Sequence, residues 1–169
     1  MKKLVVLKSL VDYTWLISCI PLLIALPIIV IWMFFDSRLI EKLNLITEES
    51  TSTELIYAMF YVILISILIY VGIYCFYLFR KTLRYFQKSK PFHSDVIRNF
   101  NKIGKLLNVI GIGGCLGIFF GQFFLKNVLS ISFGISPYVM IICLGLFFMI
   151  LSELFKVAKV AKEENELTI

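Results

Sequence analysis

Four long apolar segments, each closed by charged residues, set the pattern of this chain. They cover residues 15–35, 55–79, 103–125 and 137–155 and are between 19 and 25 residues long. An α-helix needs about 20 apolar residues to cross the hydrocarbon core of a bilayer. Continuous apolar runs are helical, because the strands of a membrane β-barrel alternate in polarity over about ten residues. The pattern predicts an all-α polytopic membrane protein, with residues 1–169 forming one bundle of four transmembrane helices.

Composition places the chain in the same class. Hydrophobic residues make up 60% of the 169 residues, and the mean hydropathy is +0.92. A soluble domain of this size would lack the polar surface that keeps it dispersed in water. The lipid bilayer is therefore the first partner that the sequence implies.

The basic residues indicate how the helices are oriented. Fourteen of the 17 Lys and Arg residues lie before the first span, in or next to the segment between the second and third spans, or after the fourth. By the positive-inside rule, both termini, segment 80–102 and tail 156–169 are then cytoplasmic. The net charge of +6 is thus a topology signal, and we expect no direct binding of nucleic acid. The basic residues expected at the membrane surface are Arg80, Lys81, Arg84, Lys88 and Lys90.

The first span carries two prolines, Pro21 and Pro27. Proline lacks a backbone N–H and clashes with the preceding turn, so we expect this helix to bend. A packing kink is favoured over a gating hinge. Although the chain starts with lysines before an apolar run, the run is too long and has no small-residue cleavage pattern, so we expect the first helix to be retained.

A break and a helix start lie between the second and third spans. Pro91 marks the break, Ser94 is the expected N-cap and Asp95 suits the positive end of the helix dipole. Apolar residues then recur at helical spacing at Val96, Ile97, Phe100 and Ile103. This segment either lies in the cytoplasmic headgroup layer or extends the third span as one long helix. His93 is expected to be a solvated loop residue, because no second histidine or nearby cysteine accompanies it.

The third span has a packing signal on one face. Gly113, Gly117 and Gly121 stand four residues apart, and small residues at this spacing let two membrane helices approach closely. The contact is either within the chain or between chains, so a homo-oligomer is one possibility. Asn108 and Gln122 flank this face and should find interhelical partners or water.

Aromatic residues gather at both ends of the second span, as in the interfacial belts of membrane proteins. Tyr70, Tyr74 and Tyr77 also recur on one side of the helix, which would allow them to line a ligand pocket. The belt interpretation is favoured, because the rings lie where lipid headgroups are expected.

Several kinds of chemistry lack their residues in this sequence. No Asp, Glu, Lys, Arg or His lies near the centre of a span, which disfavours an ion-coupled exporter. The loop acids Glu48, Glu49 and Glu54 do not have the spacing of a calcium loop. The motifs CxxC, HExxH and GxSxG do not occur. We therefore expect no catalytic site, no metal ion and no cofactor, and the cysteines are expected to be packing residues at Cys19, Cys75, Cys115 and Cys143.

The C-terminal residues 163–169, the tripeptide at residues 90–92 and the motif at residues 103–107 carry a resemblance. Together they resemble the bacterial four-helix membrane family known as domain of unknown function 2975, over nearly the whole chain. Glu166 stands where this family commonly has aspartate. The resemblance implies a bacterial plasma-membrane protein without enzymatic activity, often paired with a small cytoplasmic helix-turn-helix regulator.

The favoured function is therefore a membrane regulator or sensor that holds a cytoplasmic DNA-binding partner. The acidic tail is the expected docking segment, because anionic lipids repel its carboxylates and its apolar end suits a groove on another protein. Its candidate residues are Glu163, Glu164, Glu166, Leu167 and Ile169. The alternatives are a small transport or immunity-type protein that handles a lipophilic compound, and a homo-oligomeric scaffold.

Overall fold

The computed structural model describes residues 2–36, 40, 52–88, 91–126 and 136–167, and these residues are almost entirely helical. The helices are α1 (Lys2–Thr14), α2 (Ile20–Phe35), α3 (Ser52–Gln87), α4 (Ser94–Lys126) and α5 (Pro137–Leu167), with a π-helical turn at Trp15–Cys19 between α1 and α2. The continuous helical segment formed by α1, the π turn and α2 is called the first rod below. The first rod, α3, α4 and α5 are each long and apolar enough to cross a membrane. The prediction of an all-α protein with four spans is confirmed.

Helices α3, α4 and α5 are longer than a bilayer requires. Helix α3 has 36 residues, and a rise of 1.5 Å per residue gives it a length of about 54 Å against a hydrocarbon core of about 30 Å. Helices α4 and α5 have 33 and 31 residues. Segment 94–102 is therefore the first part of α4, and of the two alternatives for this segment the structure has the single long helix. Its apolar face packs against α3, where Val96 is fully buried.

Within the described residues, the helices pack in chain order: the first rod against α3, α3 against α4 and α4 against α5. The contact between α4 and α5 is the most extensive. In the most apolar stretches of the first rod and α5, 11% of the residues are buried within the protein, compared with 28% in α3 and α4. The first rod is mostly exposed to lipid and, by the extent of the contacts, is attached to a tighter body formed by α3, α4 and α5.

The first rod has a π turn immediately before its first proline. Pro21 has no N–H to donate to the preceding turn, and the N–H of Ile20 bonds to the carbonyl of Trp15, five residues back. The hydroxyl of Thr14 donates to the carbonyl of Leu10 at 2.9 Å. Next to Pro21 the hydrogen-bond register of the helix thus changes locally, whereas Pro27 lies within α2, and the bend expected from the two prolines stays a prediction.

A cluster of apolar side chains holds α3, α4 and α5 together at one end. Its buried centre includes Val96, Phe100 and Ile103 of α4. The ring centroid of Phe100 lies 5.5 Å from that of Phe155 and 5.7 Å from that of Phe148, both in α5. Rings at such distances add specific attraction to the burial of their area. A smaller cluster at the other end of α3 consists of Met33, Ile40 and Ala58.

Candidate functional site

The segments predicted to be cytoplasmic meet at one end of the molecule. We call this end the basic head and define it as residues 2–12, 80–88, 91–102 and 156–166. Three side-chain contacts join its parts: Arg80 with Asp12, Tyr85 with Asp95, and Lys159 with Ser94. The basic head is a folded unit, whereas its placement on the cytoplasmic side remains a prediction.

The turn between α3 and α4 is closed by a network around Asp95. The Tyr85 hydroxyl donates to one carboxylate oxygen of Asp95 at 2.6 Å, and Arg98 donates to the other at 2.7 Å. The backbone N–H of Asp95 donates to Nδ1 of His93 at 3.2 Å, and the His93 ring stacks on Tyr85 with centroids 4.9 Å apart. The side chains of Tyr85, His93 and Arg98 therefore support the start of α4.

One expectation for this turn was wrong. The side-chain acceptor at the start of α4 is His93, whereas Ser94 was expected as the cap; the Ser94 hydroxyl instead accepts a hydrogen bond from Lys159 at 2.9 Å. The expectation of a solvated loop position for His93 agrees with the structure, because the residue lies between α3 and α4 and its side chain is 45% exposed, with its ring packed on Tyr85. The sequence signal was the spacing of two residues between His93 and Asp95, which suits a local side-chain to backbone bond.

The charges around Asp95 favour its ionised form. The Tyr85 hydrogen bond, followed by the charges of Arg98, His93 and Lys81, lowers the pKa of the Asp95 carboxyl, while the same hydrogen bond raises the pKa of Tyr85. A carboxylate at the first turn also interacts favourably with the helix dipole. Such a network holds the turn in place.

Helix α5 is fixed to the basic head along α4. The hydroxyl of Ser152, which is 3% exposed, donates to the carbonyl of Ile97 at 2.8 Å. One turn further, Phe155 packs among the rings of Phe86, Phe92 and Phe100. With the Lys159–Ser94 bond, these contacts hold the first turns of the tail.

The acidic residues of the tail lie on the part of α5 that continues beyond these contacts. Glu163 pairs with Lys159 and Glu166 with Lys162, each at 3.5 Å, and both carboxylate side chains are more than half exposed. Glu164 is exposed as well. A cleft of about 310 Å³ separates this face from the turn at Pro91, Phe92 and His93. The Leu167 side chain and Ile169 lie outside the described residues, and the docking role of these five residues remains a prediction.

The basic residues expected at the membrane surface differ in their environments. Arg80 pairs with Asp12, and its guanidinium lies 5.9 Å from the centroid of the Trp15 ring. Lys81 is half-buried, Arg84 and Lys88 are exposed, and Lys90 lies outside the described residues. The Arg80–Asp12 pair was missed in the sequence, although Asp12 is the one acidic residue before residue 36.

The three glycines predicted to form a packing face, Gly113, Gly117 and Gly121, lie against α3. A Cβ added to Gly113 would meet the side chain of Leu68 at 2.8 Å, one on Gly121 would meet Tyr61 at 3.0 Å, and one on Gly117 would meet a single methyl group of Leu64 at 3.6 Å. All of these neighbours are side chains of the same chain. The glycine face therefore has an intrachain partner among the described residues.

Among the described glycines, the tightest contacts with the backbone of another helix are those between Gly104 of α4 and Gly145 of α5. A Cβ on Gly104 would lie 2.6 Å from the Gly145 carbonyl oxygen, and a Cβ on Gly145 would lie 2.8 Å from that of Gly104. Asn108 lies against this contact; its amide group donates to the sulfur of Met149 at 3.7 Å, while its buried Oδ1 has no hydrogen-bond partner within the described part of the chain. The expectation of interhelical partners for Asn108 is thus met by one of its two polar atoms.

A cavity of about 500 Å³ lies between the first rod, α3 and α4. The tyrosines considered as pocket residues do not line it: Tyr70 donates to the carbonyl of Leu23 at 3.2 Å, and the Tyr77 ring lies 5.7 Å from that of Trp15. They attach the first rod to α3. The cavity is lined instead by residues that include Thr14, Cys19, Ile69, Gly72, Ile110 and Gly117.

Within the described ranges, no side chains are brought together into a metal site or a pair of bonded cysteines. No three His, Cys, Asp or Glu side chains come together there to hold a metal ion. The loop acids Glu48 and Glu49 lie outside the described residues. The cysteines are free thiols on the first rod, α3, α4 and α5.

Helices of this length and hydropathy define a multi-pass membrane protein. Residues 8–169 match the family model described as "Protein of unknown function (DUF2975)", and the chain belongs to this family. The resemblance noted in the tail and in the central segment is thereby confirmed. No curated protein and no solved structure gives a significant match to the chain.

Proposed function

We propose that this protein is a non-enzymatic regulator or sensor in the bacterial plasma membrane, and that its basic head holds a cytoplasmic helix-turn-helix partner. One observation carries the proposal: α3, α4 and α5 continue beyond their spans as a packed three-helix unit. A connection of two to eight residues is enough to join neighbouring antiparallel helices. A chain that only had to cross the membrane would have no need for a head of this size.

The surface of the basic head supports a protein partner. Its tail presents Glu163 and Glu166 beside a cleft, and its other exposed charges include the basic residues Arg84 and Lys88. Anionic lipids attract the basic residues and repel the acidic tail, so the tail points to another kind of partner. A DNA-binding regulator carries basic residues that would complement these carboxylates.

The placement of the head in the cytoplasm rests on the bias in basic residues. Twelve of the 17 Lys and Arg residues lie in the basic head, and two more, Lys90 and Lys105, lie next to it in the sequence. Basic residues near the ends of spans are retained on the cytoplasmic side during insertion. A DNA-binding partner is available only on that side.

The experiment compares the full-length chain with a deletion of residues 163–169. We expect the deletion to insert normally but to lose co-purification of a DNA-binding protein in mild detergent, with altered transcription of that protein's targets. The triple variant Glu163→Gln, Glu164→Gln, Glu166→Gln keeps the tail length and should show the same loss if charge is the determinant. Unchanged recovery and unchanged transcription in both variants would refute the proposal.

A transport or immunity-type protein that handles a lipophilic compound is the second candidate, and the cavity of about 500 Å³ favours it. Cavities of roughly 300–1,000 Å³ are typical of small-molecule sites. Reconstituted vesicles separate the two functions, because a transporter moves a fluorescent lipophilic cation across the bilayer without any cytoplasmic partner. If the protein is a regulator, vesicles that contain it should take up the cation only at the leak rate of protein-free vesicles.

A further inference from the structure

The cavity between the first rod and α3 is a space that the helices leave unfilled within the membrane. Gly72 of α3 and Gly117 of α4 are among its lining residues. A Cβ on Gly72 would have one neighbour, a methyl group of Ile110 at 3.9 Å, and one on Gly117 would meet only Leu64 at 3.6 Å. The two glycines therefore widen the cavity instead of closing it.

The lining of this cavity suits a hydrocarbon. It consists mainly of aliphatic side chains such as Ile65, Leu68 and Ile69. Of its few polar side chains, Thr14 already donates its hydroxyl to the carbonyl of Leu10. The cavity is partly open, and its walls belong to helices that are long and apolar enough to cross a membrane. Acyl chains are the hydrocarbon that surrounds the protein at that depth.

Positive charge gathers at the end of the cavity that faces the basic head. Thr14 and Phe76 line this end. Trp15 stacks on Phe76 with centroids 6.3 Å apart, and the Arg80 guanidinium lies over the Trp15 ring. Arg80 is one helical turn beyond Phe76, so the cation lies just past the end of the hydrocarbon lining.

The charges at this end do not balance among themselves. Lys8 pairs with Asp12 at 3.6 Å, Arg80 pairs with the same carboxylate, and the charge of Arg84 also acts on it. Two cations therefore contact this anion, and a third, Arg84, one helical turn after Arg80, also acts on it. An anionic group in the headgroup layer would complete the balance, whereas a zwitterionic headgroup adds no net charge.

We propose that this cavity holds one acyl chain of an anionic phospholipid, whose phosphate lies at Lys8, Arg80 and Arg84. A phospholipid leaves its second chain in the bilayer, which the partly open cavity permits. The lipid would fill the space between the first rod and α3 and would link them. This site does not depend on the cytoplasmic partner proposed above.

The test uses the fluorescence of Trp15 in the full-length chain. Trp32→Phe leaves Trp15 as the single tryptophan, and the protein is reconstituted into phosphatidylcholine vesicles that contain increasing fractions of a brominated lipid. The three quenchers are brominated phosphatidylglycerol, brominated phosphatidylcholine and a brominated fatty acid. We expect half-maximal quenching by phosphatidylglycerol at a mole fraction about fivefold lower than that of phosphatidylcholine, since each basic residue near the surface favours anionic lipid to about this extent.

Two substitutions at one position test the cavity itself. Gly72→Phe should fill the cavity and abolish the preference for phosphatidylglycerol, while Gly72→Ala, whose Cβ has room, should retain it. Arg84→Gln, on an exposed side chain, should reduce the preference for phosphatidylglycerol without any change in the cavity. This variant still tests the proposal if Gly72→Phe does not fold. Equal quenching by the two phospholipids, an unaltered preference in both Gly72→Phe and Arg84→Gln, or preferential quenching by the fatty acid alone would overturn the proposal.

Discussion

The Tyr85 hydroxyl, in the last turn of α3, donates a hydrogen bond of 2.6 Å to the carboxylate of Asp95, in the first turn of α4. The bond joins the two ends of the turn that reverses the chain at the basic head. Because Asp95 is also held by Arg98, the start of α4 is fixed to the end of α3 and to its own next turn. The geometry of the basic head thus depends on one buried cluster of rings and on this polar closure.

Tyr85→Phe should lower the thermal midpoint of unfolding in detergent, because it removes the hydroxyl and leaves one carboxylate oxygen of Asp95 without its Tyr85 donor. The ring would still stack on His93, so the loss reports on the hydrogen bond. Tyr74→Phe, an exposed position on the same helix, is the matched control and should leave the midpoint unchanged. If both variants unfold at the wild-type temperature, the bond does not stabilise the head.

The stability of the head should depend on acid pH through Asp95. Its pKa in the folded protein lies below the ordinary value of 3.8, so its contribution to stability is complete above about pH 5 and is lost as the pH falls through the lowered pKa. Asp95→Asn cannot ionise. The difference in unfolding midpoint between the wild type and Asp95→Asn should therefore be largest near neutral pH and should shrink below about pH 4. A difference that stays constant from neutral to acid pH would contradict the role of the ionised carboxylate.

Gly104→Ala should destabilise the α4–α5 contact more than Gly117→Ala does. The new methyl group at position 104 meets the carbonyl oxygen of Gly145 at 2.6 Å, whereas at position 117 it meets a side-chain methyl at 3.6 Å. Both changes replace glycine in a helix, so the difference between them isolates the packing cost, which we expect to be about 1–3 kcal/mol. The measurement is the free energy of unfolding in mixed detergent micelles, and equal values for the two variants would exclude a tight Gly104–Gly145 contact.

The orientation in the membrane is tested by labelling. In a chain whose four native cysteines are replaced by alanine, single cysteines are introduced at Ser50 and Ser89. An impermeant thiol reagent should label the first position on intact cells and both positions after the cells are opened. This outcome follows from the bias in basic residues. Labelling of Ser89→Cys on intact cells would reverse the assignment of the basic head to the cytoplasm.

The four spans could be predicted from sequence because their signal is local and strong: about 20 consecutive apolar residues leave few alternatives in a bilayer. Whether residues 94–102 lie in the headgroup layer or extend the third span could not be predicted from sequence. The face formed by Val96, Phe100 and Ile103 is apolar in the same way whether it covers lipid or another helix, and only its burial against α3 separates the two.

The site residues were less predictable because they depend on pairs that are distant in sequence. A glycine repeat is visible within α4, whereas the tight contact joins Gly104 to Gly145, and the second glycine gives no signal by itself. Asp12 and Arg80 are separated by 68 residues, and neither has a motif around it. The spacing rules of a single helix predict contacts between residues three or four apart, so they cannot predict such pairs.

The uneven packing of the helices has a consequence for the order in which the molecule is made. Of the described helices the first rod is synthesised before the others, yet its contacts are with α3 and most of its surface faces lipid. The Gly104–Gly145 contact and the ring contacts of Phe148 and Phe155 with α4 form only after α5 has been synthesised and has entered the membrane. Until then the first rod, α3 and α4 are surrounded by lipid on the faces that α5 will cover, and the insertion of α5 completes the packing of the basic head.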